Sequence, residues 1–211
     1  MEVDLIVRSK TAVAGGMTTS PISAERKSIG RHALSAFGGK PKVQEYIHDD
    51  MPLAVDVLSV ADSPNDGVAS YSTIGLFETA LNKNEQLGTR VELCGAMPLE
   101  VTQWGNVLAS ASFALMRSKR SVKPGSVLEG YVAEYYLETS VPHLYLTAPF
   151  LWNNGHFPEL VLDNGTKVNW LQVIPISTDE VEILRTRGES AFEDLLEESD
   201  VDVFDLNRTT L

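Results

Sequence analysis

The chain has 211 residues, 43% of them hydrophobic and 22% charged, and a formal net charge of −12. That apolar content excludes a disordered chain, and the length suits one large domain whose core needs no disulfide or metal. The acidic balance argues against direct contact with nucleic acid or an anionic membrane, because phosphate contacts need clustered Lys and Arg, yet it permits a basic protein partner.

Residues 1–20 include Gly15-Gly16 and a Thr/Ser cluster before Pro21, without sustained periodicity. They read as a flexible leader ahead of a domain at 21–211, with Met17 as an alternative start. The apolar run 5–7, preceded by Glu2 and Asp4, is not a secretion signal, and no run approaches the ~18 apolar residues of a spanning helix. The expected location is cytoplasmic. Over 23–37, Ile29, Ala33, Leu34 and Phe37 recur at helical spacing until Gly38-Gly39 and Pro41 stop the pattern. Residues 53–61 and 68–77 are β-like runs on either side of Asp62-Ser-Pro-Asn-Asp-Gly67, which makes them a hairpin. A further strand is expected at 90–97. Pro98 then introduces a helix lined on one side by Val101, Trp104, Leu108, Ser112 and Leu115.

Residues 127–152 alternate poorly but hold the apolar run 144–152. Asp163-Asn-Gly165 marks a tight turn before a strand at 167–176, a second hairpin. Ser177-Thr-Asp-Glu180 has the spacing of a capping box, with Ile176 and Val181 placed as a hydrophobic staple and Gly188 as the stop. Ser190-Ala-Phe-Glu193 repeats that spacing and predicts a second short helix whose Phe192, Leu195 and Leu196 turn inward. Together these elements predict one α+β domain, its sheet mixed or largely antiparallel, with helices packed on its faces.

Chemistry-bearing motifs are absent: no phosphate-binding glycine loop, no nucleophile elbow, and no His-Glu-x-x-His or Cys-x-x-Cys spacing. No catalytic set, metal or cofactor is expected. His32, His48, His143 and His156 are scattered, with His32 read as a rim residue of the first helix. Cys94, alone in an apolar run, reads as a small buried hydrophobe, and Trp104, Trp152 and Trp170 read as core. The densest feature is acidic. Segment 177–205 holds eleven Asp and Glu against Arg185 and Arg187. Within it, Glu193, Asp194, Glu197, Glu198, Asp200 and Asp202 fall on or just after the last helix, opposite its apolar side. A solvated face, a surface for a basic partner, and a metal or acid–base site all fit such a cluster.

Val55-Asp-Val-Leu-Ser-Val60, followed by Tyr71-Ser-Thr-Ile-Gly-Leu76 with Glu78, resembles the strand and Tyr-x-Thr-x-Gly-Leu pattern of the suppressor-of-fused domain. Val168-Asn-Trp-Leu-Gln-Val-Ile-Pro-Ile-Ser177, with Glu180, Leu184, Gly188 and Leu195, resembles that family's aliphatic strand, Pro-Ile-Ser/Thr turn and helix pair. Asp205 and Arg208 agree with its ending, so the likeness runs from about residue 25 to 208. Arg31-His-Ala-Leu-Ser-Ala-Phe-Gly-Gly39 through Lys42, together with Ala148-Pro-Phe-Leu-Trp152, is similar to bacterial members that serve as antitoxins. Those are immunity proteins encoded beside LXG-type polymorphic toxins with C-terminal nuclease domains.

The resemblance implies a domain without catalytic residues that binds and blocks its cognate toxin in the cytoplasm of the producing cell. The eukaryotic relative, a regulator in Hedgehog signalling, carries a further domain, and its transcription-factor partner is not carried over. The expected partner is a basic nuclease domain, met by Glu193, Asp194, Glu197, Glu198, Asp200 and Asp202. The competing expectation is a non-catalytic adaptor that captures an extended peptide at a sheet edge.

Overall fold

The computed structural model describes residues 22–81, 89–152 and 157–211; the leader expected over 1–20 and His156 lie outside them. Ser23 opens the first helix, α1 (Ala24–Phe37), with its hydroxyl oxygen accepting the Arg26 N–H, and Gly38, at φ 72°, closes it. Four strands follow as an antiparallel meander: β1 (Pro41–Ile47), β2 (Ala54–Ala61), β3 (Val68–Ile74) and β4 (Thr89–Pro98). Helix α2 (Trp104–Ser118) comes next, then β5 (Val127–Leu128), β6 (His143–Thr147), β7 (Leu160–Val161) and β8 (Lys167–Ile176). Helices α3 (Thr178–Arg187) and α4 (Glu189–Glu198) end the series. The sheet runs in the order β1-β2-β3-β4-β8-β6-β5, with β7 on the N-terminal half of β8. Among the described residues only the β4–β8 pairing is parallel, and the expected α+β fold with a mixed, largely antiparallel sheet is what forms.

Period-2 alternation sorts the strands onto two covered faces. Val55, Val57, Leu93, Met97, Leu144, Leu146, Leu171 and Val173 pack with α2 on one. On the other, Leu58, Val60, Cys94, Ala96, Val168 and Trp170 pack with α1, while Tyr145, Ile174 and Ile176 pack with α3 and α4. β8 is buried on both sides, as a strand with a parallel neighbour should be, which is why its sequence reads as a nearly unbroken apolar run. One register row crosses six strands: Val43, Leu58, Ser72, Cys94, Gln172 and Thr147 stand side by side. Its polar members are satisfied, the Trp170 indole donating to Ser72 and the Phe150 amide to Gln172.

Two expectations are corrected. The second run ends at Ile74 and passes into a 3₁₀ turn, Leu76–Glu78, instead of continuing to 77 as strand. Helix α2 starts at Trp104, so Val101 belongs to the preceding turn, where its amide donates to the Pro98 carbonyl. The apolar run 144–152 is strand only to Thr147. Beyond it, Trp152 folds over α1, its ring 4.8 Å from Phe37 and its indole donating to Ser70 at 2.8 Å.

The Tyr-x-Thr-x-Gly-Leu pattern has a physical explanation in Glu92, fully buried on β4. Its carboxylate accepts the amides of Gly75 and Phe77 at 2.8 and 3.1 Å and the Thr73 hydroxyl. Gly75, at φ 122°, sits where a Cβ would come within 2.8 Å of the Arg26 guanidinium, and that guanidinium pairs with Glu78 and Asp56. Glycine there permits both the backbone bend and the ion pair. Burial pushes the Glu92 carboxyl up to about 7, against the pull of its Thr73 and backbone donors.

Candidate functional site

The C-terminal third carries the excess charge, and α3 and α4 decide where it goes. α3 begins with the expected capping box: Ser177 accepts the Glu180 amide at 3.1 Å, and Glu180 accepts the Ser177 amide at 2.8 Å. Arg208 then grips Glu180 with both terminal nitrogens, at 2.5 and 2.6 Å, and donates to the Pro175 carbonyl at 3.2 Å. Burial alone would raise the Glu180 carboxyl. The guanidinium and the Ser177 and Leu211 amides overcome it and hold the group below the usual carboxylate range. This corner also anchors the chain end, because Thr139 and Ser140 donate to the Leu206 and Arg208 carbonyls.

The second capping box does not form. Gly188, at φ 85°, serves both as the C-cap of α3 and the N-cap of α4, so helix begins at Glu189 and Ser190 is already inside it. Glu193 is therefore free to leave its own backbone. Its Oε1 accepts the hydroxyls of Tyr145 at 2.8 Å and Thr147 at 2.7 Å across on β6. Phe192 is fully buried against Tyr145, while Leu195 and Leu196 are only half-buried.

Of the six acidic residues singled out in the sequence, Asp194, Glu197, Glu198, Asp200 and Asp202 are exposed and form a ridge along α4 and the turn after it. Glu193 is the exception, half-buried on the sheet side instead of the solvated face expected. Among the described residues no ion pair engages any of the six. Arg185 is turned toward Glu129 and Glu182, and Arg208 belongs to Glu180. The ridge is poorly arranged for helix stability. Glu193 and Glu197, like Asp194 and Glu198, stand at i,i+4 with like charge, and the last turn holds no basic residue to meet the helix dipole.

Two grooves flank the ridge. One of about 550 Å³ runs between α4, β6 and residues 201–203, lined in part by Tyr145, Thr147, Phe150, Glu193, Leu196 and Val203. The other, about 790 Å³, lies between residues 98–101, 135–139 and 202–207, with Glu100, Glu138, Asp202 and Asp205 on its walls. Leu137, 89% exposed, stands at its rim. No Lys or Arg lines either groove among the described residues. The sequence named the ridge but neither groove. The signal available for the first was the strand Tyr145-Leu-Thr147, whose alternation puts two hydroxyls on one face.

The three described histidines stay apart. His32 is a rim residue stacked on Trp170, with Nε2 2.8 Å from the Pro158 carbonyl. His143 bridges the Gly130 amide and Thr178, and burial lowers its pKa. His48 packs edge-on to Phe113. Cys94 is fully buried, and burial raises its thiol. All three tryptophans are core. Among the described residues no group of three or more His, Cys, Asp or Glu is placed to hold a metal ion, and no helix is long and apolar enough to cross a membrane.

Residues 52–209 match the family described as Suppressor of fused protein (SUFU). The chain belongs to this family. Immunity protein YqcF of Bacillus subtilis (strain 168) is 36% identical over 192 residues, covering 90% of this chain and 98% of that protein. Among solved structures, a SUFU homologue from Neisseria gonorrhoeae FA 1090 superposes with a TM-score of 0.63 at 18% identity, covering 88% of this chain and 96% of that one. The Sufu–Fu complex gives a TM-score of 0.62 at 11% identity, over 88% of this chain and 91% of that one. Drosophila Suppressor of Fused gives 0.60 at 11% identity, and there the SUFU-family fold described here spans 50% of the longer chain. At these identities the structures establish the fold.

Proposed function

We propose that this SUFU-family chain is an immunity protein, a non-catalytic antitoxin that binds and neutralises a cognate LXG-type nuclease toxin in the cytoplasm of the producing cell. The observation that carries the reading is the 36% identity to immunity protein YqcF along nearly the full length of both chains. The acidic ridge supports the choice of a basic partner. A nuclease surface is electropositive because it holds phosphates, so an acidic inhibitor can cover it, speed association and exclude substrate. The contact surface proposed is Glu193, Asp194, Glu197, Glu198, Asp200 and Asp202, with no cofactor involved.

The test is co-expression with the toxin gene adjacent on the genome, scoring host survival and co-purification of the two chains. Rescue with a stable complex is expected, and reversing the charges of Asp194, Glu198 and Asp200 together should weaken binding and restore toxicity. Unchanged affinity in that triple variant would sink the ridge as the contact surface.

One observation favours the adaptor reading as a second choice. β1 ends the sheet at one edge, and Val43 and Ile47 on it are exposed, as at a strand able to accept a partner strand. Salt separates the two readings: ridge-driven association should slow steeply as ionic strength rises, whereas backbone pairing at β1 should respond far less.

A further inference from the structure

We infer that the groove between α4 and β6 is a socket for one arginine side chain of the basic partner, with Glu193 as its fixed counter-charge. The inference rests on the immunity reading for the identity of that partner, and on geometry for the socket itself.

Glu193 is held from one side only. Both hydroxyls that reach it, from Tyr145 and Thr147, donate to Oε1. Among the described residues, Oε2 accepts no hydrogen bond and no cation pairs with the carboxylate. A half-buried charge in that state is orientationally fixed and electrostatically incomplete. Glu197, one turn further along α4, lines the same groove and adds like charge at i,i+4. A cation entering between them relieves that repulsion and supplies the missing partner.

The remaining lining specifies what carries the cation. Leu196, Val201 and Val203 offer apolar contact to a methylene stem. Phe150, 46% exposed at the groove, presents an aromatic ring to a planar head. A flat guanidinium satisfies carboxylate and ring together, whereas a compact ammonium matches only the charge. Phe192, fully buried against Tyr145, fixes α4 over β6, so Glu193 stands in place before a partner arrives.

The experiment uses n-butylguanidinium as the probe and the full chain as the receptor, followed by amide chemical shifts, with n-butylurea as the uncharged isostere. Saturable shifts centred on Thr147, Ala148, Leu196 and Val203 are expected, and n-butylurea should bind at least about tenfold more weakly, as expected when a charge-assisted contact is lost. Glu193→Gln should weaken the guanidinium by a similar factor without unfolding the chain, since the amide oxygen still accepts from Tyr145 and Thr147. Phe150→Ala, at an exposed position, should weaken it severalfold. Glu138→Gln, in the other groove, should change nothing.

Shifts spread without saturation along residues 194–202, or an unaltered Glu193→Gln, would overturn the socket. The toxin domain separates this outcome from failure of the immunity reading. If it binds with the same affinity to Glu193→Gln, immunity stands and the socket falls. If n-butylguanidinium saturates the socket while the toxin does not bind, the socket stands and the toxin assignment falls.

Discussion

Ser177 and Ser190 stand in the same Ser-x-x-Glu pattern, one before α3 and one within α4, and they act differently. At Ser177 the chain arrives from β8 in extended conformation, φ −82° and ψ 170°, so the hydroxyl meets the Glu180 amide and the box closes. Ser190 is preceded by a residue that is already helical, because Gly188 turns the chain from one helix directly into the next. A cap needs an extended residue with free helical amides ahead of it. Where that is missing, the glutamate of the pattern is released for other work: Glu180 is locked to Arg208, whereas Glu193 crosses to β6 and, among the described residues, keeps one oxygen open. Identical local patterns thus yield a structural corner and a binding candidate.

The largest expected effect breaks the locked corner. Arg208→Met leaves Glu180 buried without its cation and should cost about 3–5 kcal/mol in urea-induced unfolding. A loss under 1 kcal/mol would mean that the pair contributes little and that the chain end is held by its other contacts.

The pH dependence sharpens the contrast between buried carboxylates. Glu180 is depressed in the folded state, so its contribution is present above its unfolded pKa and is lost as pH falls through the lower folded value. Glu92 runs the other way. Raised from 4.5 to about 7, it favours the folded state fully below 4.5, and that contribution is lost as pH rises to about 7. Glu92→Gln should flatten the decline across that window, about 3 kcal/mol in all, as read from denaturation midpoints at pH 4.5, 6 and 8. Wild-type and Glu92→Gln profiles that run parallel over this range would show that Glu92 ionises normally.

The smallest effects test the paired pattern itself. Ser177→Ala should cost about 1 kcal/mol, and Ser190→Ala less than about 0.5 kcal/mol. Equal costs would show that the second serine caps after all.

Several elements were legible because their signals are local. Ser23 and Gly38 bound α1, Ser177 and Gly188 bound α3, and Asp163-Asn-Gly165 turns β7 into β8, each through side-chain caps or glycine and asparagine conformations encoded within a few residues. β1 was not legible. Its residues are mostly exposed or half-buried, as suits an edge strand, so its sequence lacks a clean apolar alternation. Glu92 carries a local signal: a lone carboxylate within Val91-Glu-Leu-Cys94 has to find donors, and it finds them in Gly75, Phe77 and Thr73 while burial raises its pKa. Of the candidate site, the acidic ridge was visible as a run of charge, but the grooves were not, because Tyr145, Phe150 and Val203 meet α4 only after the sheet has assembled.

By itself the sequence determined the α+β class, the ends of α1 and α3, the two hairpins, the burial of the three tryptophans and the family resemblance. These rest on periodicity, caps and spaced motifs, which act over a few residues at a time. The tertiary structure alone decided the parallel pairing of β4 with β8, the closing of Arg208 on Glu180 and the turning of Glu193 toward β6. Each joins residues 28 or more positions apart, and a side chain's partner at that range is set by which elements pack together, not by its neighbours in the chain.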